Sequence, residues 1–350
     1  LNNRHSAPTP MARSRFLPDN FTLMLLATVA LASFAPVSGQ AAHFFEGLTT
    51  AAVALLFFLH GAKLSREAIF AGIGHWRLHL LVFATTFILF PIIGIALRPV
   101  LEPLVTPALY VGVLYLCVLP ATVQSAIAFT AMGRGNMPAA ICSASASTLL
   151  GIVVTPLLVK MVLPHAGEAS QDALHSIGKI MLQLLLPFLA GHFLRPWIGN
   201  FVKTNAKMLK VVDQGSILLV VFTAFSAAVV EGIWRQLPLT GLLALLLVSA
   251  IILAIVLVFT TFIARKLGFN KEDEITIVFC GSKKSLISGV PMAKVIFPSA
   301  EAGLIVLPLM IFHQLQLMVC AVLAQRYARR PETPELRDEK KAKSTAKAGA

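Results

Sequence analysis

Two adjacent lysines, Lys283 and Lys284, stand inside a long apolar stretch, "VFCGSKKSLISGVPM", from Val278 to Met292. A lysine at the centre of a membrane helix costs about 2.5–3.5 kcal/mol on insertion scales. Adjacent residues of a regular helix point about 100° apart, so one such helix could not easily aim both into one cavity. Gly281 and Gly289 permit unusual backbone angles, and Pro291 removes a donor, so the stretch reads as an unwound crossover. Irregular backbone at membrane depth is tolerated where it meets protein or a watery cavity. A polar cavity is therefore expected here; lysines that snorkel to an interface are the competing reading.

A second apolar stretch is broken in the same way. Pro120 interrupts "YVGVLYLCVLP", and Thr122, Gln124 and Ser125 follow as uncharged ligands for an ion or an anion. The next run carries Ser143, Ser145 and Ser147 in "AAICSASASTLL", which would serve either a site or close helix packing. His313, Gln314 and Gln316 fall together in "MIFHQLQLM". No Asp or Glu lies in the broken parts or in these neighbouring runs; Asp213 and Glu231 sit near the ends of another. Cation sites favour oxygen ligands with carboxylate charge, so this cavity reads as positive and suited to a small organic anion. The four cysteines form no CxxC pair, and neither a disulfide framework nor a zinc site is expected. HExxH, GxSxG and paired carboxylates at depth are missing as well, so neither an enzyme nor a cofactor is expected.

The elements that position these groups follow from composition. Of 350 residues, 57% are hydrophobic and 13% charged, about half the charged share of a soluble domain. Apolar runs long enough to span a bilayer recur, and the chain reads as an all-α polytopic membrane protein. Ten spans are expected, roughly 20–37, 47–63, 77–98, 104–132, 137–163, 174–194, 211–231, 238–264, 274–297 and 300–325. The first resembles a signal peptide too, but basic "RSR" before it explains a retained helix. Segments 1–19 and 327–350 flank the spans, and 164–173 links 20–163 to 174–326. Lys and Arg concentrate on one set of loops and in the tail, which puts both termini in the cytoplasm, most simply across a bacterial inner membrane. The tail, with eight Lys/Arg and four Asp/Glu from Arg326 onward, reads as disordered and as touching anionic lipid rather than nucleic acid. Ten spans divide into two halves of five, and an odd number inverts the second. Both breaks then fall in the fourth member of a half, spans 4 and 9, a sequence pointer to a transport site at the midplane.

At these residues the chain resembles the bile acid:sodium symporter superfamily. "TAMGRGNMPAA", "STLLGIVVTPLL" and "IFHQ" carry the resemblance; "LFFLHGAKLSREAI" and "FCGSKKSLISGVPMA" point to its SBF-like branch, related to the seventh member of solute carrier family 10. The resemblance implies two inverted five-helix repeats, a core of spans 3–5 and 8–10, a panel of spans 1, 2, 6 and 7, and substrate between them. Sodium-coupled members carry Glu, any residue, Gly, any residue, Gln, Asn, Ser at the ninth-span crossover. Here the corresponding places are Phe279, Cys280, Gly281, Ser282, Lys283, Lys284 and Ser285. Ser125 matches a sodium-binding Ser, but its Asn neighbour is Ala126. These departures argue against direct sodium coupling and leave sodium or proton coupling open. Lys283, in the place of an ion ligand, is expected to be structural. Lys284 and His313, in the places of substrate-facing residues, are expected at the substrate, with Gln314, Thr122 and Gln124. The function implied is secondary transport of an organic anion; the alternative is a non-transporting regulator of calcium homeostasis. Oligomeric state is left open.

Overall fold

The computed structural model describes residues 20–63, 74–163, 173–230, 232 and 239–330. The expected N-terminal segment, most of the linker and most of the basic tail lie outside the described residues. Regular structure within them is entirely helical. The elements are α1 (Asn20–Phe34), α2 (Gly39–Lys63), α3 (Trp76–Ala96), α4 (Pro107–Val118), α5 (Val123–Met132) and α6 (Met137–Val162). They continue with α7 (Ala173–Thr204), α8 (Ala206–Val230), α9 (Leu239–Lys266), α10 (Lys271–Gly281), α11 (Leu286–Ile296) and α12 (Ser299–Ala328). Six of these helices are long and apolar enough to cross a membrane, and α4 with α5 makes a seventh, bent by 60°. The protein is an integral, multi-pass membrane protein. Helix α7 runs to Thr204, well past the expected end near 194, despite Pro187 and Pro196 within it.

The helices pack in two groups. Helix α2 lies along α7 and α8, and α1 along α8. The second group holds α3–α6 and α9–α12, with α4 against α12, α5 against α6 and α10, and α9 against α10 and α12. The closest approach in the first group has a sequence cause. "FLHG" in α2 (Phe58–Gly61) and "FLAG" in α7 (Phe188–Gly191) face one another. A Cβ on Gly61 would collide with the Phe188 carbonyl, and one on Gly191 with the Phe58 carbonyl. Each glycine thus seats the other helix's backbone, the small-residue contact that lets membrane helices approach.

In the second group, three local devices interrupt regular helix. Within α3 a π-turn spans Thr85–Leu89. The Phe90 N–H bonds to the Thr85 carbonyl, and residue 91 is a proline without an N–H. The Thr86 carbonyl is left free by both effects. Pro120 ends α4, and the chain re-enters helix at Val123. Helix α10 ends at Gly281 and α11 begins at Leu286, with Ser285 as N-cap accepting from the Ser288 N–H. A turn at Gly133–Asn136 then locks the group's end. Arg134 has φ 59°. Asn136 caps α6 through the Ala139 N–H, and its amide donates to Asp273 at 2.8 Å. Arg330 donates to both the Arg134 carbonyl and Glu272.

Replacing Gly191 by valine should force α2 and α7 apart and lower stability by about 1–3 kcal/mol or more, the usual cost of overpacking. Gly47→Ala, where an added Cβ meets nothing within 4 Å, should melt like the wild type. Melting temperatures of the two variants in detergent check this.

Candidate functional site

The two breaks meet. The Ser285 N–H donates to the Pro120 carbonyl at 3.0 Å, joining one interrupted backbone to the other. Helix ends leave carbonyls without intrahelical partners, and burial makes each unpaired one costly. Four carbonyls at the end of α4 and in the break find partners. Thr155 Oγ1 donates to the Val118 carbonyl at 3.0 Å, and Ser285 takes Pro120. Lys284 Nζ takes Cys117 at 2.9 Å and Leu119 at 2.7 Å. Its third bond goes to the Thr86 carbonyl at 2.8 Å, the one that the π-turn and Pro91 set free. The ammonium also lies 4.1 Å from the Phe90 ring centroid. Three donors thus meet three carbonyls with no exposure, at the negative end of α4. Gln316 holds the backbone of the same residue from both sides. Its Oε1 accepts the Lys284 N–H and its Nε2 donates to the Lys284 carbonyl, each at 2.9 Å. Ser147 Oγ accepts the Ala121 N–H at 3.0 Å.

Lys284 therefore sits as a structural cation, and the expected division of labour between the two lysines is corrected. Its ammonium is consumed by freed carbonyls and does not line the cleft. Lys283 is also fully buried, but no carbonyl cages its Nζ, and the polar group beside it is the Cys320 thiol. It lies 4.3 Å from the Phe129 ring centroid and 5.9 Å from that of Phe279, an aromatic enclosure. Phe279 packs edge-on against Tyr327 as well.

The cleft itself lies between the two helix groups. A cavity of about 130 Å³ is walled on one side by His60 and Lys63 of α2, Phe188 of α7 and Asp213 of α8. Opposite stand Thr122, Val123 and Gln124 at the start of α5, Ser145 and Thr148 of α6, and Ser285, Ile287 and Ser288 at the start of α11. Of the expected residues, Thr122, Gln124 and Ser285 line it. His313 instead bonds to Gln316 at 2.9 Å, and Gln314 is on the same helix outside this lining. Ser143 bonds to His79 at 2.7 Å. The hydroxyls of half-buried Ser125 and buried Ser282 are enclosed beside the breaks and find no partner among the described groups. The expectation of a positive cavity changes accordingly. Its charges are Lys63 and Asp213, which pair with each other. Excess positive charge lies in an adjoining cavity of about 380 Å³, where Arg195, Lys203 and Lys210 join Lys63 and Asp213. Sequence reasoning missed His60, Lys63 and Asp213 as a unit; a charge near the end of each of two apolar runs was the available signal.

Apolar helices whose interrupted members meet beside a polar cleft define a membrane-transporter architecture. The chain belongs to the SBF-like CPA transporter family, which it matches over residues 19–329. It is thus a member of the bile acid:sodium symporter superfamily's SBF-like branch. It is 66% identical over 320 residues to the Pseudomonas aeruginosa protein PA2026, covering 91% of this chain and 96% of that one. It is 60% identical to the Escherichia coli protein named "Putative symporter YfeH", covering 93% and 97%. A rat protein named "Sodium/bile acid cotransporter 7" is 30% identical over 78% of this chain and 80% of its own.

Lys284→Met strands three buried carbonyls, each worth about 1–3 kcal/mol, and should lower the melting temperature sharply. Lys283→Met replaces a buried amine that no carbonyl or carboxylate meets and should melt at or above the wild-type temperature. Size-exclusion profiles and melts of both variants decide between these roles.

Proposed function

We propose that the protein is a secondary active transporter that moves a small organic anion by alternating access. The observation that carries this reading is the convergence of two half-helix N-termini, those of α5 and α11, on one cavity. Helix N-termini present unpaired N–H groups and positive partial charge to an anion. Thr122, Gln124, Ser285 and Ser288 are the contacts assigned to it; Lys284 supports them from behind.

In this reading ten spans form two inverted repeats, 20–163 and 174–326. Helices α4 and α5 are the fourth span, α10 and α11 the ninth, crossing near the midplane. The first packing group is the panel and the second the core. Contacts between them support a conformation closed at one end. Helix α8 packs on α11 and α12, and Lys294 of α11 pairs with Glu46 of α2 at 2.9 Å. The other end holds the cavity and its rim of Arg195, Lys203 and Lys210. Basic residues belong on the cytoplasmic side, which makes this an inward-facing state with both termini cytoplasmic, in a bacterial inner membrane. The basic rim concentrates anions before they reach the helix N-termini.

The residues at the sodium-site equivalents do not fit a sodium ion. Phe279 packs among aromatic rings. The carbonyls at the crossover already surround an ammonium at 2.7–2.9 Å. A tethered cation thus takes the place of a dissociable one, and transport does not require sodium.

Uptake of labelled small carboxylates into proteoliposomes should persist when choline replaces sodium. Steep, saturable dependence on sodium would contradict the proposal, and absence of any uptake across a carboxylate panel would contradict transport itself.

A further inference from the structure

The cavity's two walls offer opposite hydrogen-bonding chemistry. The core wall is rich in donors: the N-termini of α5 and α11, with the hydroxyls around them. The panel wall is different. Asp213 is 2% exposed. Its Oδ2 pairs with Lys63, while its Oδ1 is buried without a partner among the described groups. A buried carboxylate oxygen that no protein group satisfies is rare and calls for a reason. Among the described residues, Lys63 is the only cation lining this cavity, and Asp213 already engages it.

His60 supplies a second acceptor. Its Nδ1 lies 2.8 Å from the Leu56 carbonyl. A carbonyl only accepts, so Nδ1 carries the hydrogen of the neutral ring, and Nε2 is left with a lone pair. The panel wall therefore places Asp213, with one carboxylate oxygen unsatisfied, and His60, with one ring nitrogen free to accept, opposite a wall of donors. Size adds a bound. An engineered protein cavity of about 150 Å³ admits benzene; at about 130 Å³ this part of the cleft holds a group of about that size.

We propose that Asp213 and His60 form an acceptor site on the panel wall, selecting small carboxylates that carry a hydroxyl or ammonium donor at the end remote from the carboxylate. The inference rests on the anion reading of the cleft and adds what the far end of the ligand must be. Its carboxylate meets the half-helix N-termini, and its N–H or O–H meets the orphaned oxygen and the imidazole. No bond is made or broken.

Butyrate, 4-hydroxybutyrate and 4-aminobutyrate form a matched probe set for the purified full-length protein. At least one donor-bearing probe should bind about tenfold more tightly than butyrate, the value of one hydrogen bond to a charged group. The Lys63→Met/Asp213→Leu double variant removes the pair together and strands neither charge; it should lose that preference. His60→Phe is the second variant and should weaken the preference with the ion pair intact. Equal binding of all three by the wild type overturns the inference while leaving the anion reading standing. So does a preference that survives in both variants. Binding of none overturns the anion reading itself and the inference with it.

Discussion

Three carbonyl oxygens, from Thr86, Cys117 and Leu119, converge on one ammonium, that of Lys284. Breaking a membrane helix exposes backbone that lipid cannot satisfy. Burying an ammonium is equally costly unless its hydrogens are met. Here each problem answers the other. Pro120 frees carbonyls at the end of α4, and the π-turn with Pro91 frees another from α3. The lysine supplies exactly as many donors as it meets oxygens. Gln316 then fixes the peptide that carries the lysine, so four elements (α3, α4, the crossover and α12) are tied at one point.

What this point provides is a place for two helices to begin again. Helices α5 and α11 start within the protein because their predecessors end there, and their N-termini open on the cleft. Charge is thereby separated from the cavity. Both buried lysines stay behind the breaks, the cavity contains a neutral ion pair, and the net positive field comes from the rim. Under the proposed anion reading, affinity rests on backbone dipoles, which are fixed in direction, and the rim serves capture. The close seat of α2 on α7 gives the opposite wall its rigidity, since Gly61 and Gly191 bring those backbones into contact beside His60 and Phe188.

Much of this was legible before any coordinates. Hydrophobic runs and Pro120 located the helices and the first interruption, because length and missing donors act locally; the second falls at Ser282–Ser285, whereas Gly289 and Pro291 lie inside α11 and neither Gly281 nor Gly289 takes a positive φ. Thr122, Gln124 and Ser285 were found for the same reason: they sit at the helix starts that the breaks create. Orientation was not legible. Lys283 and Lys284 are equivalent by type and depth, and only the direction of each side chain separates a carbonyl cage from an aromatic one. Ser143, Ser145 and Ser147 alternate along a helix, so one meets His79, one the cleft and one the Ala121 N–H. Lys63 and Asp213 lie 150 residues apart, and no local pattern announces their pairing. The π-turn had a visible cue, "TTFILFP", in which a proline follows two threonines whose hydroxyls bond back to the preceding turn.

The most direct test of the central claim is the response of melting temperature to small cations in wild-type protein and in Lys284→Ala, measured in native membrane fragments with sodium, ammonium and choline. The account predicts a wild type indifferent to all three, and a destabilised variant that sodium or ammonium partly restores while choline, too large for the carbonyl cage, does not. A variant that melts like the wild type, or a wild type that sodium itself stabilises, would contradict it.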